Sequence, residues 1–180
     1  MKALSWNCRG ICNASTVRAL KAQIKGERPD IIFLCETKAT YNRMKVVMEK
    51  LRFSNRFVID SKGTVGGLTM MWKSNHIIKV LEYNKNLIAI KVSDPVNDWV
   101  LVGFHGPSYA PKKAKAWMNL SAFLESVYYP WVCFGDFNYA LSQEDRRGGN
   151  SSAPFATNQL KEFMFDFSAI DLGFSGNKFT

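Results

Sequence analysis

Five polar side chains sit where apolar runs stop. Asn7 follows ALSW, Glu36 follows DIIFLC, His105 follows WVLVGF, and Asp136 and Asn138 follow WVCFG. β-Branched and aromatic residues in continuous apolar runs are what strands covered on both faces require, so these residues read as strand ends. In the last run Gly135 breaks the strand. Successive side chains of an extended chain alternate, so Asp136 and Asn138 point one way while Phe137 turns back toward the core. Two carboxylates sharing a rim with two amides and an imidazole repel unless a cation lies between them, and oxygen ligands with few sulfurs suit Mg²⁺ or Mn²⁺. A hard divalent ion on a positively charged chain points to phosphate ester chemistry. Gly, Asp and Asn are also ordinary turn residues, and each of the five could simply end its own strand.

Elements able to hold these residues are legible along the chain. Ala3 to Asn7 is a first strand and Ile31 to Cys35 a second. Ser15 to Lys25 reads as a helix capped by Ser15, with Val17, Leu20 and Ile24 on one face and closure at Gly26 and Pro29. Met44, Val47, Met48 and Leu51 give a helix over 41–51. Strand-like runs follow at Arg56 to Asp60, Gly67 to Lys73, Ile77 to Tyr83, Leu87 to Val92 and Trp99 to Phe104, whose close spacing predicts an antiparallel meander. A helix after Pro111 carries Trp117, Leu120, Leu124 and Val127 inward, and another over 157–167 is capped by Thr157. The expected fold class is α/β (α+β): two mixed sheets packed face to face with helices outside, so that strand ends gather at one rim.

A chain of 180 residues with 47% hydrophobic content, 13 Phe and 5 Trp supports one folded domain over 1–180. The excess of 24 Lys and Arg over 15 Asp and Glu, a net charge of +9, favours a polyanionic partner. No apolar run reaches the length of a membrane span, and polar residues interrupt the N-terminus too soon for a signal peptide. Cys8, Cys12, Cys35 and Cys133 mostly sit in strand-like contexts, as reduced cysteines of an intracellular protein would.

The segments WNCRG (6–10), PDIIFLCETK (29–38), GGLTMMW (66–72), PWVCFGDFN (130–138) and IDLGFSGNKFT (170–180) resemble the endonuclease/exonuclease/phosphatase superfamily. They most resemble the apurinic-type endonuclease domain that precedes reverse transcriptase in plant LINE-type non-LTR retrotransposons. The resemblance implies a four-layered α/β sandwich and Mg²⁺-dependent (or Mn²⁺-dependent) nicking of DNA to leave a 3′-hydroxyl, in the nucleus if on genomic DNA, with a fused reverse transcriptase in the full element. It implies that Glu36 is the metal ligand with Asn7 beside it helping to hold metal and carboxylate in position, that Asp136 orients or deprotonates the attacking water, and that Asn138 donates to the scissile phosphate or helps fix that geometry. Lys38, Arg9, and Arg146 and Arg147 of QEDRRGGN are the implied contacts to the DNA backbone.

Three departures qualify the resemblance. His105 stands where the superfamily usually has Tyr, so a phosphate contact is either kept through the imidazole or lost. Arg9 replaces the acidic residue that apurinic-site repair enzymes carry two positions after the first Asn, as the retrotransposon branch often does. A further Asp and a terminal Ser-Asp-His are placed by the resemblance after Thr180, so the last strands and the catalytic His–Asp pair fall beyond this chain and weak activity is expected of it. Two other functions fit the same residues: a superfamily phosphatase acting on a small phosphoester or lipid headgroup, and a non-catalytic nucleic-acid-binding relic.

Overall fold

A computed structural model describes residues 1–139 and 159–173. Along the chain run β1 (Ala3–Asn7), α1 (Ala14–Glu27), β2 (Ile31–Cys35), α2 (Tyr41–Leu51), β3 (Asn55–Ile59), β4 (Leu68–Trp72), β5 (Ile77–Asn84), β6 (Leu87–Ser93), β7 (Asp98–His105), α3 (Ala110–Glu125), β8 (Trp131–Asp136) and α4 (Gln159–Asp166). The strands form two four-stranded sheets, in the orders β1-β2-β4-β3 and β5-β6-β7-β8. Each sheet is mixed: β1/β2 and β7/β8 are parallel, and the other neighbours are antiparallel.

Three apolar layers separate four layers of structure. Ile31, Phe33 and Met70 of the first sheet meet Ile88, Ile90 and Leu101 of the second, forming the central core. Leu20 of α1 and Met44, Val47 and Met48 of α2 cover the outer face of the first sheet. Trp117, Leu120 and Leu124 of α3 and Phe163 of α4 cover the outer face of the second. Alternation explains the division: Ile31 and Phe33 face the central core, while Ile32 and Leu34 face the helices.

Several local expectations change. The capping side chain of α1 is Asn13, whose Oδ1 accepts from the Ser15 backbone at 3.0 Å, so the helix starts before Ser15. It also runs through Gly26 and closes at Arg28, in the left-handed region at φ 49°. The meander is broken, because β4 pairs with β2 and β3 in the first sheet while β5 begins the second. β2 is buried throughout, as its sequence requires, but β8 is half-buried along its length. Among the described strands β8 lies at a sheet edge, where Trp and Val cover the sandwich without being enclosed by it. The cap expected of Thr157 lies outside the described residues.

Candidate active site at the strand-end rim

Parallel pairing is what brings the five polar side chains together. Strands that run in parallel end on the same side, and the register sets Asn7 opposite Cys35 and His105 opposite Asp136. β1 also packs against β8, so the two parallel pairs meet across the sandwich with their C-terminal ends at one rim. Asn7 Nδ2 donates to Asp136 Oδ2 at 2.9 Å, joining the two sheets through residues 129 positions apart. The other carboxylate oxygen, Oδ1, accepts from the Asn138 backbone N–H at 3.0 Å. Each oxygen of Asp136 thus has one fixed donor, which sets the rotation of the carboxylate.

The turn after Asp136 is built to hold that orientation. Phe137 packs inward beside Phe104 and Trp117. Asn138 adopts φ 52°, and its Nδ2 donates to the Gly106 carbonyl at 2.6 Å. Gly106 N–H donates in return to the Asp136 carbonyl at 2.8 Å, and Lys113 Nζ donates to the Asn138 carbonyl at 2.8 Å. Gly135, at φ 140°, lets the strand pass against the Phe104 carbonyl where a Cβ would collide.

Glu36 stands immediately after β2 at φ 52°, and its carboxylate Oε1 lies 3.5 Å from His105 Nε2. The His105 side chain is 13% exposed, and its Nε2 is buried with no hydrogen-bond partner among the described residues. Its backbone is clasped by Asn86: His105 N–H donates to the Asn86 carbonyl at 2.7 Å, and Asn86 Nδ2 donates to the His105 carbonyl at 2.8 Å. Arg9 and Lys38 are exposed beside the rim at φ 47° and 50°. Arg9 N–H donates to Asn7 Oδ1 at 3.2 Å, and the stem of Lys38 runs next to Gly10. Four of the described non-glycine residues with positive φ (Arg9, Glu36, Lys38, Asn138) are therefore at this rim, where backbone strain commonly accompanies function.

Charge at the rim is felt by the thiols beneath it. Burial pushes the Cys8 thiol up to about 11, with a smaller contribution from Glu36. Burial raises Cys35 further, and the negative charge of Asp136 adds to it. No group of three or more His, Cys, Asp or Glu side chains able to enclose a metal occurs among the described residues. The donor atoms nearest one another there are the Glu36 carboxylate and the His105 imidazole nitrogen, with the Asn7 amide oxygen at the same rim, and donors of these types suit a divalent ion.

Of the residues singled out in the sequence, Asn7, Glu36, His105, Asp136 and Asn138 converge, with Arg9 and Lys38 flanking them. Arg146 and Arg147 lie outside the described residues. Asn86, Lys113 and the wholly buried Thr37, beside Gly67, were not foreseen. The doubled Asn of YNKN was a usable signal for Asn86, since a polar turn between two strands seldom needs both; Lys113 in PKKAK offers none.

A model of the endonuclease/exonuclease/phosphatase family matches residues 4–176. No curated protein matches the chain. Among solved structures, the AP endonuclease LMAP from Leishmania major superposes with a TM-score of 0.65 at 16% identity, over 93% of this chain and 66% of that one. An AP endonuclease from Archaeoglobus fulgidus gives 0.64 at 18%, over 82% and 61%. The 3′ phosphatase NExo from Neisseria, bound to product DNA hairpin, gives 0.62 at 18%, over 81% and 60%. The chain thus spans about three-fifths to two-thirds of the length of these structures, which share its fold. The match of the family model over nearly the whole sequence, on two mixed sheets flanked by helices, shows that the chain belongs to the endonuclease/exonuclease/phosphatase family.

Proposed function

We propose that this chain is part of a divalent-metal-dependent phosphodiesterase that nicks DNA, of the kind carried by LINE-type retroelements next to a reverse transcriptase. The observation that carries the phosphodiesterase reading is Asp136, held from two sides by Asn7 and Asn138 and joined by register to His105, with Glu36 facing that histidine. Arg9, in place of an acidic residue, and the combination of WN, ETK and GDFN support the retroelement branch.

In this reading Asp136 accepts the proton of the attacking water, because a carboxylate with a fixed rotation presents its remaining lone pairs in one direction. Asn7 holds that rotation through Nδ2. Asn138 has committed one amide hydrogen to Gly106, and its second is available to donate to a phosphate oxygen without adding negative charge. Glu36 and the Asn7 amide oxygen would hold the ion, Mg²⁺ or Mn²⁺, which when bound would supply positive charge against the charge developing on the phosphate. Arg9 and Lys38 place cations beside the rim for the DNA backbone, a role also proposed for Arg146 and Arg147.

The test is a substrate panel: supercoiled plasmid, a duplex with one abasic site, and a soluble phosphorylated headgroup, each with Mg²⁺ or Mn²⁺. Plasmid nicks that a polymerase can extend, with no strong preference for the abasic duplex, are expected. Strong abasic preference would overturn the retroelement reading, and headgroup hydrolysis without nicking would overturn the nuclease reading.

A further inference from the structure

His105 Nε2 is the one buried nitrogen at the rim without a hydrogen-bond partner among the described residues, and it faces a carboxylate. Its 3.5 Å from Glu36 Oε1 exceeds the range of about 2.7–3.2 Å for an N–H···O bond, so the two atoms stand apart without bonding. Two ligands bound to one small ion at about 2.1 Å each stand about 3.0–3.5 Å apart at octahedral to tetrahedral angles. The observed gap matches that spacing. The backbone that carries the imidazole is fixed in place: Asn86 clasps it from both sides, and register pairs His105 with Asp136.

We propose that His105 Nε2 is a direct ligand of the divalent ion, sharing it with Glu36, and that this nitrogen makes the site selective for Mn²⁺ over Mg²⁺. The inference rests on the phosphodiesterase reading of the rim. Mg²⁺ prefers an all-oxygen shell and gives up water reluctantly, whereas first-row divalent ions accept imidazole alongside carboxylate. The nitrogen therefore stabilises bound Mn²⁺ and contributes little to bound Mg²⁺. A strand cap would have no such metal preference.

Electron-spin-echo spectroscopy of Mn²⁺ added to the 180-residue chain tests this, because a coordinated imidazole leaves a ¹⁴N modulation on the Mn²⁺ signal. The chain has only two histidines, and the other, His76, lies 3.9 Å from Asp30 at the opposite end of β2. Imidazole modulation is expected in the wild type and in His76→Gln, and absent from His105→Phe. Calorimetric titration should show Mn²⁺ binding at least tenfold tighter than Mg²⁺ in the wild type. His105→Phe should lose most of that ratio by weakening Mn²⁺ alone, and Glu36→Gln should weaken both ions. His105→Tyr replaces His105→Phe if the latter fails to give native far-UV circular dichroism. Unchanged Mn²⁺ affinity in the His105 variants, or modulation that persists in them, would overturn the proposal while loss of both ions in Glu36→Gln left the phosphodiesterase reading standing. A folded wild type that binds neither ion would overturn both.

Discussion

Asp136 has two fixed donors, and removing either tests whether its rotation matters. Asn7→Ala deletes the 2.9 Å bond to Oδ2 and is expected to lower nicking about 10- to 100-fold, as loss of an orienting partner typically does. Asn7→Asp should be no better, because it sets a second carboxylate against Asp136. Rates of plasmid nicking at matched circular dichroism check both. The thiols give an independent residue-scale test of the same layer. Cys12 is exposed, Cys8 and Cys35 are buried beneath the rim, and Cys133 carries a thiol whose pKa burial has raised. The thiolate is the reactive form, so at pH 7.5 a thiol reagent should modify one cysteine rapidly in native protein and four in denaturant. Rapid native labelling of Cys8 would contradict the burial that places Asn7 and Glu36.

At the scale of the element, β8 and β2 are the strands whose placement the site depends on. Gly135→Ala forces a Cβ into the Phe104 carbonyl at a φ that side chains rarely adopt, and is expected to cost about 2–4 kcal/mol, measured by urea unfolding. The start of β2 is pinned by Asp30, whose carboxylate accepts from Lys73 Nζ and from the Lys2 backbone, each at 2.9 Å. Those bonds hold its carboxyl below the usual carboxylate range, the Lys73 bond most. A depressed folded value means stabilisation that is present above the ordinary carboxylate range and lost as pH falls through the folded value. Asp30→Asn should therefore melt below wild type at pH 7, with the gap closing toward pH 3 in thermal scans. Legibility divides along the same elements. IIFLC is apolar at every position and could only be an interior strand. WVCF carries the same signature on an edge strand, because its side chains still pack on two apolar layers, Val132 and Phe134 on the central core and Trp131 and Cys133 on the outer one. Asn13 and Ser15 are both capping residues, and only the backbone decides between them. That Asn7 bonds Asp136 depends on sheet order, which no local spacing encodes; YNKN marks Asn86 as a polar turn residue, but that its partner is His105 follows only from hairpin register.

Across the whole molecule, the site exists because two mixed sheets are stacked with their parallel pairs adjacent. Strand ends were legible one at a time from polar residues closing apolar runs; their convergence follows from the change of sheet between Trp72 and Ile77, which the close spacing of strands concealed. No described helix is long and apolar enough to cross a membrane, and the chain carries a net charge of +9. Binding to DNA should accordingly weaken steeply with salt, which a fluorescence-anisotropy titration between 50 and 200 mM salt, roughly the range in which counterion release is most visible, would check. The central claim is that Asp136 and a divalent ion act together on a phosphodiester. The most direct measurement is conversion of supercoiled plasmid to open circles by the purified chain with Mg²⁺ and with Mn²⁺, beside an EDTA control and Asp136→Ala. Nicking that EDTA abolishes and that Asp136→Ala lowers at least about 100-fold is expected. Nicking that persists in folded Asp136→Ala, or in EDTA, would contradict it.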